Sequence, residues 1–303
     1  MTKHVAVLMG GWSAEREVSL RSGKACADAL EGQGYHVTRV DVARDVAEVL
    51  ARLKPDVAFN VLHGHPGEDG TIQGILEILR IPYSHSGVLA SALAMNKAMA
   101  KHALKAAGVP VPDGRVVTRA EAAKTHVLKR PYVLKPISEG SSVGVFIVTE
   151  EHAHPPQELT RADWTYGEEL LAERFIPGLE LTCAVLGDKP LGVIEIEAAT
   201  RFYDYEAKYA PGGSRHILPA RIDAAVYERV QAMTVAAHKA LGCRGVTRSD
   251  FRFDPHANEL VCLEVNTQPG MTETSLVPEL AAHAGLSFGA LVRWMAEDAS
   301  LER

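Results

Sequence analysis

Two hydrophobic periods alternate through the first ninety residues of this chain. Short apolar runs such as Val5-Ala6-Val7-Leu8-Met9 read as strands, and between them apolar residues recur every three or four positions, as helices require. The pattern predicts strands over 5–9, 37–41 and 57–62 and helices over 17–30, 46–53 and 71–79. Gly10-Gly11 tightens the first turn, and Gly32 and Gly34 stop the first helix. This βαβαβα order predicts a parallel sheet with helices on both faces. Ligands of such sheets lie off the carboxyl ends of the strands. Here those ends carry Gly10-Gly11-Trp12-Ser13-Ala14-Glu15 and His63-Gly64.

Helical periodicity over 91–107 ends at Gly108, and Val109-Pro110-Val111-Pro112 marks a domain boundary. Strand signals follow at 132–135, 145–148, 170–175 and 179–186, the last two joined by Pro177-Gly178. A further strand follows Gly187-Asp188-Lys189, which completes a small α+β module. Residues 200–219 form a polar loop rich in Tyr, Gly and charge. Loops that long inside a compact protein are usually functional lids or disordered. A helix over 223–241 then leads to Val246-Thr247-Arg248-Ser249-Asp250.

That last stretch carries the strongest chemical signal. Asp250 and Phe251-Arg252-Phe253 precede the turn Asp254-Pro255-His256-Ala257-Asn258, and Leu260-Val261-Cys262-Leu263 runs into Glu264-Val265-Asn266. Two short strands around a Pro/Asn connection read as a β-hairpin. Near-symmetric pairing puts Asp250 opposite Glu264, or one residue off, and cross-strand neighbours on one face are about 5 Å apart. Asn266 shares the face of Glu264, because strand side chains alternate. Two carboxylates and an amide then converge, and like charges that close need a cation between them. A small set of oxygen ligands suits Mg²⁺, completed by water and phosphate oxygens. The alternative is that both acids flank the hairpin and point into water.

A net charge of -6 argues against a nucleic-acid partner, and any site for a polyanionic nucleotide must carry its own lysines or arginines. At 303 residues the chain is long enough for two or three subdomains. Its four cysteines, Cys26, Cys183, Cys243 and Cys262, are scattered beside apolar stretches and read as buried small hydrophobes in a reducing compartment. No apolar run approaches the roughly 18 residues of a membrane span, and no signal-peptide pattern opens the chain, so a cytoplasmic protein is expected.

Local cations do occur. Lys135 ends a strand and leads into Pro136-Ile137-Ser138-Glu139-Gly140-Ser141-Ser142-Val143-Gly144. Such a Gly/Ser loop can wrap phosphate oxygens with backbone N–H groups, although a plain hairpin connection reads the same way. In Glu168-Glu169-Leu170-Leu171-Ala172-Glu173-Arg174-Phe175-Ile176, a carboxylate ending an apolar strand can meet an adenine edge or ribose hydroxyls; alone it is an edge strand. His63-Gly64-His65 has no third ligand at metal spacing and reads as a loop-positioning or substrate contact.

Taken together, Lys135, the Glu139–Gly144 loop, Glu173, Phe202-Tyr203-Asp204-Tyr205-Glu206-Ala207-Lys208-Tyr209, Asp250 and Glu264-Val265-Asn266 occur in the order of ATP-grasp enzymes, and the chain resembles the D-alanine–D-alanine ligase family throughout. Gly10-Gly11-Trp12-Ser13-Ala14-Glu15-Arg16-Glu17-Val18-Ser19, His63-Gly64 with Gly70-Thr71-Ile72-Gln73-Gly74, and Pro269-Gly270-Met271-Thr272 with Ser275-Leu276-Val277-Pro278 resemble its three signatures. The resemblance implies a three-domain ATP-grasp fold, α/β and α+β. Its parts would be an N-terminal Rossmann-like substrate domain over 1–93, a central subdomain over 94–178 and a C-terminal one over 179–303 with a lid over 200–219. It implies ATP and two Mg²⁺ as cofactors, with Mn²⁺ as a substitute and a monovalent cation such as K⁺, and a homodimer acting on D-alanine and ATP. Lys97 and Lys135 would contact the phosphates, Glu139, Ser141 and Ser142 would also line the nucleotide site, and Lys208 would reach the nucleotide as the lid closes. Glu173, Arg174, Phe175, Ile176, Glu180 and Phe253 would surround adenine and ribose, and Asp250, Glu264 and Asn266 would hold metal. Glu15 would take the first D-alanine's ammonium, and Ser275 and Leu276 the second's carboxylate, with His63 and Gly270 also at the substrates. Arg248 would stabilise the transferring phosphoryl group, and Tyr209 would close onto Glu15 and Ser141. Three departures from the family pattern stand out: Arg174-Phe175 replaces an expected Lys-Trp pair, Gln268 stands where serine is common, and the segment from Glu151 to Thr165 is short. An ATP-grasp ligase that uses D-lactate or D-serine, a nucleotide-binding regulator and a dinucleotide-dependent oxidoreductase are the competing readings. No Gly-x-Gly-x-x-Gly follows the first strand to support the last of these.

Overall fold

The structure, a computed structural model, describes residues 2–140, 143–198 and 213–302. Strands β1 (His4–Gly10), β2 (His36–Val42) and β3 (Val57–Asn60) form the expected parallel sheet in the order β2-β1-β3. Alternation along β1 sends Val5 and Val7 to one face, with Cys26 and Leu30 of α1 (Arg16–Gly32). It sends Ala6 and Leu8 to the other, with Leu50 of α2 (Val46–Leu53) and Leu76 of α3 (Thr71–Leu79).

The helix expected over 91–107 is two helices, α4 (Val88–Met95) and α5 (Lys97–Ala106). Asn96 leaves helical geometry, and its side-chain oxygen accepts the Met99 N–H at 3.0 Å. Apolar spacing continues across such a break, so only the capping residue could have revealed it. Both helices pack beside the C-terminal sheet: Ala94 and Leu104 share a core with Phe251 and Leu260.

A four-stranded antiparallel sheet follows, with β4 (Gly114–Thr118), β5 (Tyr132–Pro136), β6 (Phe146–Val148) and β7 (Glu169–Arg174) in the order β4-β7-β5-β6. Helix α6 (Arg119–Lys124) covers part of it. Strand β4, which the pattern did not predict, buries only Val117. An edge strand with one buried side chain has no period to read.

The second antiparallel sheet holds β8 (Leu179–Leu186), β9 (Lys189–Ala198), β10 (Ser214–Ile217), β11 (Val246–Asp254) and β12 (Glu259–Asn266), in the order β10-β9-β8-β11-β12. Strand β10 corrects the expectation of a loop running to 219: residues 214–217 pair with β9 through backbone groups, with little side-chain burial to mark them. Helix α7 (Ala224–Ala240) packs on this sheet. Helices α8 (Leu276–His283) and α9 (Phe288–Asp298) sit between it and the N-terminal sheet. Val277, Leu280, Leu291 and Met295 share one core with Val5, Phe59, Ala184 and Ile194. That core holds the carboxyl ends of β1 and β3 against the end of the β11–β12 hairpin.

Within this packing His238 of α7 is buried, its Nδ1 2.7 Å from the Thr247 hydroxyl of β11. Burial, helped by Lys239, pushes its pKa down to about 4. An unfolded histidine takes a proton near pH 6.5 and this one does not, so its contribution is intact above pH 6.5 and is lost as pH falls toward 4. The full loss amounts to up to about 3 kcal/mol. His238→Gln is expected to flatten the fall in stability between pH 6.5 and 4 relative to the parent, as measured by urea unfolding at each pH. An unchanged slope would contradict a buried neutral His238.

Candidate active site

The β11–β12 register pairs Arg248 with Asn266 and Asp250 with Glu264, then shifts at a bulge, so that Phe251 opposes Cys262. Leu263 is the extra residue, and it reverses the phase of β12. Leu260 and Cys262 face the core, while Glu264 and Asn266, two and four residues on, face the partly open side. Bulges commonly re-aim side chains next to active sites. Asp250 is fully engaged: Arg248 donates through Nε at 2.9 Å and Nη2 at 2.7 Å, Thr182 Oγ1 at 2.7 Å and Asn266 Nδ2 at 3.1 Å. Lys97 Nζ lies 3.8 Å from Glu264. Each carboxylate thus has a cation within reach, which answers the repulsion inherent in their pairing.

An open cleft of about 780 Å³ adjoins this hairpin end, lined by Glu15, His63, Arg248, Gly270, Ser275 and Leu276. Glu15 follows the turn after β1, His63 follows β3, and Ser275 and Leu276 open α8. Ser275 Oγ also accepts the Thr272 N–H at 2.9 Å. A Cβ on Gly140 would sit 2.8 Å from Glu15 Oε2, so this loop comes close to the Glu15 carboxylate. His63 is buried; desolvation opposes its charge, but Glu68, whose Oε1 is 3.7 Å from Nδ1, and Glu15 hold its pKa above the ordinary value.

A second, open pocket shares Gly140, Glu264 and Asn266 with the first and adds Lys97 and Glu139. Lys97 heads α5 and donates to the Glu139 carbonyl at 2.5 Å. Nearby, Glu173 is buried between Lys135 and Lys101, each Nζ 2.5 Å from one carboxylate oxygen. The Lys101 contact is an ion pair that lies off the hydrogen-bonding direction. Expected at the adenine edge, Glu173 is here committed to two lysines.

Alternation along β11 brings Arg252 to the face of Arg248 and Asp250. Its guanidinium donates to the Ile176 carbonyl at 3.0 Å, lies 3.5 Å from Glu180 and stands 5.6 Å from the Phe175 ring. Arg174 is ion-paired with Glu259. Phe253, expected beside the nucleotide, instead lies in the core with Leu104 and Val230, because its odd position puts it on the opposite face. Ser141, Ser142, Lys208 and Tyr209 lie outside the described residues.

Sequence reasoning gave no role to Glu68, Lys101, Arg252 or Gln268, all of which meet expected site residues here. Only Arg252 carried a readable signal, two residues past Asp250 on one face. Asp250, Glu264 and Asn266 present a hard, all-oxygen donor set that fits Mg²⁺. Among the described residues no group of three or more His, Cys, Asp or Glu could hold an ion unaided. Two carboxylates and an amide make an incomplete cage, which phosphate oxygens and water would complete.

The buried triad has a measurable consequence. Burial, with Lys135 nearby, pushes the Lys101 pKa down to about 8, while Glu173 is held below its ordinary value despite desolvation because both lysines favour its charge. Removing that charge leaves two buried ammonium groups facing each other, and breaking a buried pair costs about 3–5 kcal/mol. Glu173→Gln is therefore expected to lower ligand-free stability by about that amount in urea unfolding. A loss under about 1 kcal/mol would show that the lysines do not depend on Glu173.

Comparison with known proteins places the chain as a whole. The family patterns described as "D-ala D-ala ligase N-terminus" and "D-ala D-ala ligase C-terminus" match residues 47–86 and 103–297. The chain is 77% identical to a D-alanine–D-alanine ligase of Xanthobacter autotrophicus and 73% identical to one of Azorhizobium caulinodans, each over the full length of both proteins. A crystal structure of the Bacillus anthracis D-alanine–D-alanine ligase complexed with ATP superposes with a TM-score of 0.82 at 31% identity, covering 98% of this chain and 97% of that one. The VanG D-Ala:D-Ser ligase of Enterococcus faecalis superposes with a TM-score of 0.80 at 32% identity, covering 97% and 98%. With its fold and its full length matched in this way, the chain belongs to the D-alanine–D-alanine ligase family.

Proposed function

We propose that this chain joins two D-alanine molecules into D-alanyl-D-alanine with ATP as the driving substrate, as a step in peptidoglycan precursor synthesis. The observation that carries the reading is one cleft lined by Glu15, His63, Arg248, Gly270, Ser275 and Leu276 beside the Asp250–Glu264 pair, in a chain 77% identical to a ligase of that name. A carboxylate is a poor electrophile. The first D-alanine's carboxylate attacks the γ-phosphorus of ATP, releasing ADP and forming a D-alanyl phosphate. The second D-alanine's amine then attacks that carbonyl and expels phosphate. Glu15 anchors the first ammonium, and Ser275 and Leu276 at the start of α8 receive the second carboxylate, with His63 also at the substrates. Lys97 and Lys135 contact the phosphates, Glu139, Ser141 and Ser142 line the nucleotide site, Lys208 reaches the nucleotide as the lid closes, and Arg248 turns from Asp250 toward the transferring group. Arg174, Phe175, Ile176, Glu180 and Asn266 complete the nucleotide contacts.

Asp250, Glu264 and Asn266 would hold two Mg²⁺, or Mn²⁺ in substitution, with K⁺ as an auxiliary ion. Bound metal would neutralise phosphate charge. An acylphosphate hydrolyses in water, which gives residues 200–219, with Tyr209, the role of a closing lid. The working units are 1–93, 94–178 and 179–303. Among the described residues no helix is long and apolar enough to cross a membrane, in keeping with action in the cytoplasm. The exposed apolar side chains Ile78 of α3 and Val88 and Leu89 of α4 support a homodimer through that face.

Phosphate release from ATP, measured with D-alanine, L-alanine, D-serine or D-lactate, tests the substrate. D-alanine alone is expected to support full turnover, and preference for D-serine would move the chain beside VanG. Glu264→Gln is expected to abolish turnover while changing ligand-free stability by less than about 1 kcal/mol, because its pairing with Lys97 is long and partly exposed. A large loss of stability would make Glu264 a structural residue instead.

A further inference from the structure

The N-terminal sheet and the metal-side hairpin are joined by a polar contact that the chemistry above does not use. Asn60 ends β3, three residues before His63, and Gln268 follows β12, two residues beyond Asn266. Both are buried, at 1% and 2% exposure. Their amides face each other: Asn60 Nδ2 donates to Gln268 Oε1 at 3.0 Å, and Gln268 Nε2 donates to the Asn60 backbone carbonyl. The same Asn60 amide donates to the Gly67 carbonyl at 3.0 Å, and its Oδ1 accepts the Leu62 N–H at 3.1 Å. Gln73 Nε2 also donates to the Gly67 carbonyl, at 2.8 Å. Leu62 and Gly67, on either side of His63, are thereby tied to one side chain, and that side chain is tied to the hairpin.

We propose that Gln268 is a positioning residue that sets the distance between the amino-acid end of the cleft, at His63, and the phosphoryl end, at Asn266. Buried amides have few satisfied arrangements. A loop shift breaks both bonds at once and leaves donors and acceptors without partners, which is costly away from water. The contact therefore acts as a two-point gauge rather than as general apolar adhesion. Its reach is right for the task, because Gln268 lines the cleft that His63, Arg248 and Gly270 share. The inference rests on reading that cleft as the D-alanine site, and the parent enzyme's own requirement for D-alanine tests that reading separately.

Two variants and a cycle test it. Gln268→Asn keeps the amide but withdraws it by one methylene, and Gln268→Met keeps length without polar atoms. In both, KM for D-alanine is expected to rise about tenfold, with KM for ATP within twofold of the parent and more phosphate released per dipeptide formed. Asn60→Ala should raise the D-alanine KM similarly, and the Asn60→Ala/Gln268→Met double variant no further than the larger single effect. A residue that only stabilises the fold would lower the melting temperature and leave both KM values of the folded enzyme unchanged. That result, equal rises in both KM values, additive single effects, or failure of both Gln268 variants to fold would each overturn the proposal.

Discussion

Charge held in a confined place is the constraint on which the rest of this architecture depends. Asp250 and Glu264 face each other across two strands, and a third carboxylate, Glu173, is almost wholly buried against Lys135, which also feels Glu264. Carboxylates so placed persist only where cations and hydrogen bonds meet them. Arg248 and Thr182 meet Asp250, Lys97 approaches Glu264, and Lys101 with Lys135 encloses Glu173. These cations come from β5, α5 and β11, so the match exists only when both antiparallel sheets and the α4–α5 pair are assembled. The surrounding cores of Phe251, Leu260 and Leu104 and of Tyr132, Leu134 and Ala172 supply the driving force for that assembly.

The bulge at Leu263 shows how backbone detail serves this constraint. Strict alternation from Leu260 and Cys262 would carry Glu264 into the core, an uncompensated charge among apolar side chains. One extra residue turns the strand over. The same hairpin then presents Phe251, Cys262 and Leu260 to one side and Arg248, Asp250, Glu264 and Asn266 to the other. Packing and chemistry are satisfied by one strand pair.

Much of this was legible in the chain. The parallel sheet, its helices and the hairpin follow from hydrophobic period and turn residues, since each buries one face and so writes its period into the sequence. Elements that bury little wrote nothing: β4 and β10 were missed because backbone pairing holds them. Asp250 opposite Glu264 was legible as one of two registers, and the bulge decides between them through packing at Phe251 that no local spacing records. The surroundings of Glu173 and Phe253 were not legible, for related reasons. The two lysines that enclose Glu173 come from α5 and β5, and the face taken by Phe253 is fixed by Arg252 beside it.

The ligand-free pairing also has a direction. Among the described residues, every cation proposed to meet phosphate is already committed to a carboxylate or a backbone carbonyl: Arg248 to Asp250, Lys135 to Glu173, Lys97 to Glu139 and Glu264. A lysine or arginine left alone in such a cleft would repel its neighbours and disorder the loops that carry it. Paired, it is held within a few ångströms of its working position. An incoming polyanion and its metal ions would then exchange partners rather than recruit them, with cations passing to phosphate as carboxylates pass to metal. Exchange keeps the number of buried unpaired charges low at each stage, and little protein reorganisation remains for the moment of phosphoryl transfer, the condition under which electrostatic stabilisation works best.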